Sequence, residues 1–196
     1  MSTPLNLVYN KYNEELKPLV SEIEGRLEKF EEPLLTNLMA QFDYVALSVT
    51  ETDENNKNLY LQQALSHLDI AVTNSYQYLI YALVHKNNLF KKRCGGKKGI
   101  AKLADGKYFG ELKVLEKQGN AKVRKGIEID DCDAGEYFKE AYNYYTKQEI
   151  ILEKLAVASI AHKGKSKLWI FIGWIISIAI SVIIGYCINN CLNGML

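Results

Sequence analysis

The sequence predicts an all-α protein, a cytosolic helical bundle followed by one C-terminal transmembrane helix. Three observations carry that prediction. Apolar residues recur at helical spacing through most of the first 162 residues. All three prolines stand before residue 34, so little interrupts a helix beyond that point. Leu168–Ile188 reads LWIFIGWIISIAISVIIGYCI without a charged residue. That is long enough to cross a hydrocarbon core as a helix, and it is apolar on every side, unlike a surface helix.

The chain therefore divides into a domain over 1–162, a basic juxtamembrane hinge over 163–167, a span over 168–188 and a short polar extracytoplasmic tail over 189–196. Taken in order, Leu5–Phe30 is amphipathic, and Pro18 kinks it or divides it. Pro33 suits the first turn of a second helix running to about Val49. Glu51–Asn58 (ETDENNKN) has no apolar periodicity and reads as a linker. A long helix follows from about Leu59 to Phe90. Its Leu61, Leu65, Leu68, Val72, Tyr76, Leu79 and Leu83 alternate spacings of three and four and make one buried face.

Lys91–Lys107 (KKRCGGKKGIAKLADGK) breaks the pattern and reads as a glycine-rich loop with four glycines and seven basic residues. A shorter helix covers Tyr108–Lys117, with Gly119 and Gly126 blurring its end and Lys122–Ile129 open to reading as a short strand. Asp131 or Asp133 offers the N-cap of the last soluble helix. There Tyr137, Ala141, Tyr144, Gln148, Ile151, Leu155 and Ala158 fit an a/d heptad, and Phe138, Tyr142, Tyr145, Leu152 and Ala156 form a second stripe. One face is expected in the core and the other against a partner helix. The link to the span is a short hinge or a nearly continuous helix.

Charge is unevenly distributed. Residues 1–90 carry 6 basic and 12 acidic side chains, residues 91–125 carry 12 and 3, and residues 126–162 carry 3 and 8. The middle of the chain is a basic island between acidic flanks. Lys91, Lys92, Arg93, Lys97, Lys98, Lys102 and Lys107 are its candidate ligand-binding residues, since ammonium groups and backbone N–H on a glycine-rich loop suit phosphates. A mononucleotide, a short oligonucleotide or nucleic acid would fit, and a solvated loop touching anionic lipid is the plainer reading. Aromatic residues are sparse there, so base reading is not indicated.

No catalytic site is visible. GxSxG, HExxH, Walker A and GxGxxG are absent, and GGKKGIAK lacks the Walker spacing. Three unclustered histidines make a metal site improbable, and no cofactor is expected. His67 reads as a partly buried helix residue with a satisfied hydrogen bond. The four cysteines form no framework; Cys94 and Cys132 lack CxxC spacing, and Cys187 and Cys191 suit packing at the far membrane face.

Lys163, Lys165 and Lys167 precede the span, and only polar residues follow it, which keeps the N-terminal side cytoplasmic. Nothing in Met1–Asn10 resembles a signal peptide. The expectation is a single-pass, tail-anchored protein of the cytoplasmic membrane, with the bilayer as one partner. Within the span, Gly173, Ser177, Ser181 and Gly185 recur every fourth residue. Small residues let helices approach closely in lipid, so this stripe is a self-association face or, more plainly, ordinary membrane-helix composition. One helix cannot enclose water, so any pore would be a homo-oligomer, closed by Ile and gated by dewetting.

At LYLQQALSHLDIAVTNSYQYLIYALV (residues 59–84) the chain resembles the long central helix of HEPN-type domains. The resemblance implies a small helical bundle, often dimeric and often encoded beside a minimal nucleotidyltransferase. HEPN ribonucleases place a His four to six residues after an Arg. Arg26, Arg93 and Arg124 are not followed by His in that window, so the nuclease role is not carried over. The architecture that remains is similar to membrane effectors of bacterial antiphage defence, including the Hailong type. That likeness implies an ion channel gated at its cytosolic domain by a nucleotidyltransferase or its nucleotide or oligonucleotide product. The other readings are a passive tail-anchored adaptor, a membrane-tethered ribonuclease with a degenerate site, and a holin-like lytic protein.

Overall fold

The computed structural model describes residues 3–27, 32–129 and 134–156. They form an all-α bundle as far as Leu152, where a second unit begins at Glu153. Asp131, Asp133, the lysines Lys163, Lys165 and Lys167, the stripe Gly173, Ser177, Ser181 and Gly185, and the whole span Leu168–Ile188 lie outside the described residues. Among the described residues no helix is long and apolar enough to cross a membrane.

The N-terminal segment is helical from Pro4 to Leu27, with a π-helical interruption just before Pro18. Helix α1 (Pro4–Asn10) runs through a π-helical turn, Lys11–Leu16, into α2 (Lys17–Leu27). Pro18 has no N–H to donate, and its ring would press on the carbonyl one turn earlier. The widened turn absorbs this, and the Lys17 N–H donates five residues back to the Tyr12 carbonyl. Val8, Leu16, Leu19 and Ile23 stay on the buried side.

Helix α3 (Glu32–Thr50) has Pro33 in its first turn, as expected, and packs along α4 (Glu54–Arg93), a 40-residue helix about 60 Å long. The polar linker is shorter than its composition predicted. The Asp53 carboxylate accepts from the Asn55 and Asn56 N–H groups at 2.8 and 3.0 Å, so the helix begins five residues before Leu59. Of the predicted stripe, Leu61, Leu68, Val72, Leu79 and Leu83 are buried, and Leu65 and Tyr76 are half-buried. The N-terminal half of α4 joins α1–α3 in one apolar cluster, and Ile80 and Leu83 join a second with Phe138, Ala141 and Tyr145.

After α5 (Gly96–Lys102) and a 3₁₀ turn (Leu103–Gly106), helix α6 runs unbroken from Phe109 to Glu128. The short helix and the alternative strand are both corrected. Gly119 and Gly126 do not end the helix but make notches for rings of α7, residues 134–156. A Cβ on Gly119 would stand 3.0 Å from the Tyr145 ring, and one on Gly126 would stand 2.9 Å from the Phe138 ring. Both pairs are seven residues apart, in opposite order, so α6 and α7 lie antiparallel.

Helix α7 also departs from its expected division of labour. Ala141, Gln148 and Ile151 of one stripe and Phe138, Tyr145 and Leu152 of the other are all buried. Tyr137 and Tyr144 are half-buried under lysine ammonium groups, Lys122 at 5.3 Å and Lys147 at 5.9 Å. Both stripes are therefore largely spent within the molecule.

Candidate anion-binding site

The basic island is a built turn rather than an open loop. Lys91, Lys92 and Arg93 occupy the last turn of α4, where cations favourably meet the negative end of the helix dipole. The chain then reverses through Gly95 and Gly96, at φ 82° and 69°, a left-handed pair that side chains resist. Helix α5 starts directly on the end of α4. A Cβ on Gly99 would fall 1.6 Å from the Cys94 carbonyl oxygen, so no side chain fits there. Ile100, 4% exposed, fixes α5 to the bundle.

This geometry separates the seven candidate cations. Lys91 is largely committed, with its Nζ 2.8 Å from Glu116 Oε2 on α6. Lys107 sits 5.4 Å over the Tyr108 ring. Lys92, Arg93, Lys97, Lys98 and Lys102 are exposed, and among the described residues none forms an ion pair. Lys98 and Lys102 lie one turn apart on α5, facing away from Ile100. Like charges at that spacing cost a few tenths of a kcal/mol, which a bound anion would offset. Much of the expected glycine-rich loop is helical, and the Gly95 and Gly99 N–H groups donate to the Lys92 and Gly95 carbonyls at 3.1 and 3.4 Å.

A second polar constellation has no local signature in the sequence. Glu149, 6% exposed, takes both oxygens to Arg26, at 2.9 and 3.0 Å from Nη1 and Nη2. Lys86 Nζ adds a contact at 2.7 Å. Arg26 Nε donates to Glu22 at 2.7 Å, and the Tyr142 hydroxyl donates to the other Glu22 oxygen at 2.7 Å. Burial alone would raise the Glu149 carboxyl, but the hydrogen bonds from Arg26 and Lys86 outweigh it and hold it below the usual carboxylate range. Burial and the bond to Glu22 push the Tyr142 phenol up to about 12. Beside this network, Asn87 Nδ2 donates to Gln148 Oε1 at 3.0 Å, and Gln148 Nε2 donates to the Leu112 carbonyl at 3.2 Å. Arg26 thus ties α2 to α7. Only long-range pairing, 123 residues apart, could have revealed it.

A cleft lies elsewhere among the described residues. It measures about 430 Å³ and opens beside the π turn, with Glu14, Glu15, Asp69, Tyr76, Glu136 and Lys139 in its wall. Burial and the Glu15 and Glu136 carboxylates raise the Tyr76 phenol. Lys11 pairs with Asp69, and Lys139 Nζ lies 3.5 Å from Glu136. His67 fills the role expected of it, with Nδ1 3.1 Å from Asn37 Oδ1 and its ring stacked on Tyr44 at 5.5 Å. Among the described residues no group of His, Cys, Asp and Glu could hold a metal ion. No family model matches the chain, and neither does any curated protein or solved structure.

Proposed function

We propose that this chain is an oligomeric membrane effector of antiphage defence, in which C-terminal spans gather into an ion-conducting pore under control of the cytosolic bundle. One observation carries the reading. The chain that holds five exposed cations with no ion pair among the described residues, on a bundle-anchored turn, also contains a charge-free apolar stretch of membrane-crossing length. An anion-receiving surface joined to a span is what ligand-controlled conduction requires.

In this reading the ligand is a nucleotide or oligonucleotide supplied by a nucleotidyltransferase partner, and it meets Lys92, Arg93, Lys97, Lys98 and Lys102. It gates through unequal affinity for the closed and open assemblies. The HEPN-type likeness of residues 59–84 and the placement in the inner membrane with a cytoplasmic N-terminal domain belong to the same proposal. Gly173, Ser177, Ser181 and Gly185 face neighbouring spans. Replacing Gly173 and Ser177 with Leu should abolish toxicity and conductance in cells that express the full chain. Unchanged toxicity and unchanged assembly size would refute the reading of the stripe.

A further inference from the structure

Helix α3 carries a second apolar face. Leu35, Met39, Phe42 and Val49 are 47%, 61%, 53% and 70% exposed, and Ala46 is exposed with them. Their spacing runs four, three, four, three, the seam of a helix that packs against another helix. The opposite face, with Leu34, Leu38 and Val45, is the one set into the bundle. A helix needed only for the core would be polar on its outer side.

The seam continues beyond α3. The Tyr12 ring meets the Phe42 ring edge-on at 5.9 Å. Tyr9 and Leu5, 66% and 44% exposed, stand one and two turns before Tyr12 on the same side. The whole strip is on the order of 600 Å², at the upper limit of what a monomer leaves bare. With a polar rim it approaches the roughly 800 Å² per partner of a standard interface.

The occupant follows from charge and shape. Over its 19 residues α3 has only two charges, Glu32 and Asp43, and no cation. A strongly charged partner would gain little here, whereas an equally uncharged helix fits, and this chain supplies one. We infer that two copies pair through α3, antiparallel, with Met39 of each against Phe42 of the other. This register seats Leu35 over the small Ala46 and sets Asp43 across from Thr36. The alternative antiparallel register, Phe42 on Ala46, brings the two Asp43 carboxylates together. A parallel pairing stacks Phe42 on Phe42 and leaves a gap between the two Ala46 residues. The contact is isologous and closes as a two-fold dimer. It specifies how copies meet in the assembly proposed above, but rests on the exposed strip of α3 and the N-terminal helix and holds whether or not the chain conducts.

The test uses full-length protein in detergent, with assembly mass followed by light scattering against concentration. Met39→Glu and Phe42→Lys should each weaken association more than about tenfold, because each places a charge in an apolar seam. Mixing the two variants should restore it. The mixed pair keeps one Met39–Phe42 contact and gains a Glu–Lys contact in place of the other. Unaltered circular dichroism would show that each variant folds. A wild-type monomer, unchanged mass in either variant, or no recovery on mixing would overturn the inference. A silent bilayer with association intact would count against the channel reading alone.

Discussion

Replacing Gly126 with Ala should destabilise the protein, although helix propensity taken alone argues the reverse. Gly126 lies within α6, where Ala is favoured over Gly by about 1 kcal/mol. The new methyl would stand 2.9 Å from Phe138, a ring 4% exposed and packed with Ile80, Leu83, Ala141 and Tyr145. Overfilling so tight a site costs about 1–3 kcal/mol, and a mid-range cost of about 2 kcal/mol leaves a net loss of about 1 kcal/mol. Gly25 in α2 is the control, since a Cβ there meets nothing within 4 Å. Gly25→Ala should gain about 1 kcal/mol, nearly the full propensity term. At roughly 3 °C per kcal/mol for a chain of this size, Gly126→Ala should melt about 3 °C below wild type and Gly25→Ala about 3 °C above it. Thermal melts followed by circular dichroism read both. If the two substitutions stabilise alike, the antiparallel contact of α6 and α7 is wrong. Partial recovery on adding Phe138→Leu would locate the strain at that ring.

Other consequences follow from the polar network and the basic turn. Arg26→Met should cost about 3 kcal/mol, because it leaves the buried Glu149 carboxylate with Lys86 as its remaining ion-pair partner; Lys86→Met, at a side chain 58% exposed, should cost under about 1 kcal/mol, and denaturant midpoints separate the two. Glu149 is held below its ordinary range, so its contribution is complete above that range and is lost as pH falls through the lowered folded value; Glu149→Gln should flatten that acid limb of the stability curve. Tyr142 is shifted the other way, so its contribution is present below the ordinary tyrosine range and is lost as pH rises towards about 12. Ultraviolet titration should show a phenol ionising late, and Tyr142→Phe should remove it. Lys98→Gln with Lys102→Gln should weaken binding of a short oligonucleotide at least tenfold and lower its salt dependence, whereas Lys91→Met should act on stability first.

Periodicity made the long elements legible. The three–four alternation from Leu61 to Leu83 marks α4 because a 3.6-residue helix must carry its core on one side. Its start is not legible in the same way, because polarity over residues 51–58 masks the cap that Asp53 supplies. Pro18 announces a disturbance but does not say that a π turn will absorb it. Gly119 and Gly126 read as helix breakers because local propensity cannot register the rings of Tyr145 and Phe138 across the bundle. The charge of residues 91–107 is plain in composition, yet the commitment of Lys91 to Glu116, which sets it apart from five cations with no ion pair among the described residues, depends on α6 folding back beside α4. Arg26 and Glu149 meet only in three dimensions, so neither could be singled out beforehand. The outward seam of α3 was also hidden, since a helix apolar on two sides looks like an ordinary core helix until one side is seen to be filled.

The most direct test of the central claim is single-channel current in planar bilayers, comparing the full chain with a chain truncated after Lys167. Discrete conductance steps from the full chain alone, altered by an added nucleotide or short oligonucleotide, are the predicted result. A silent bilayer with the full chain verified as inserted, whatever nucleotide is added, would contradict the account.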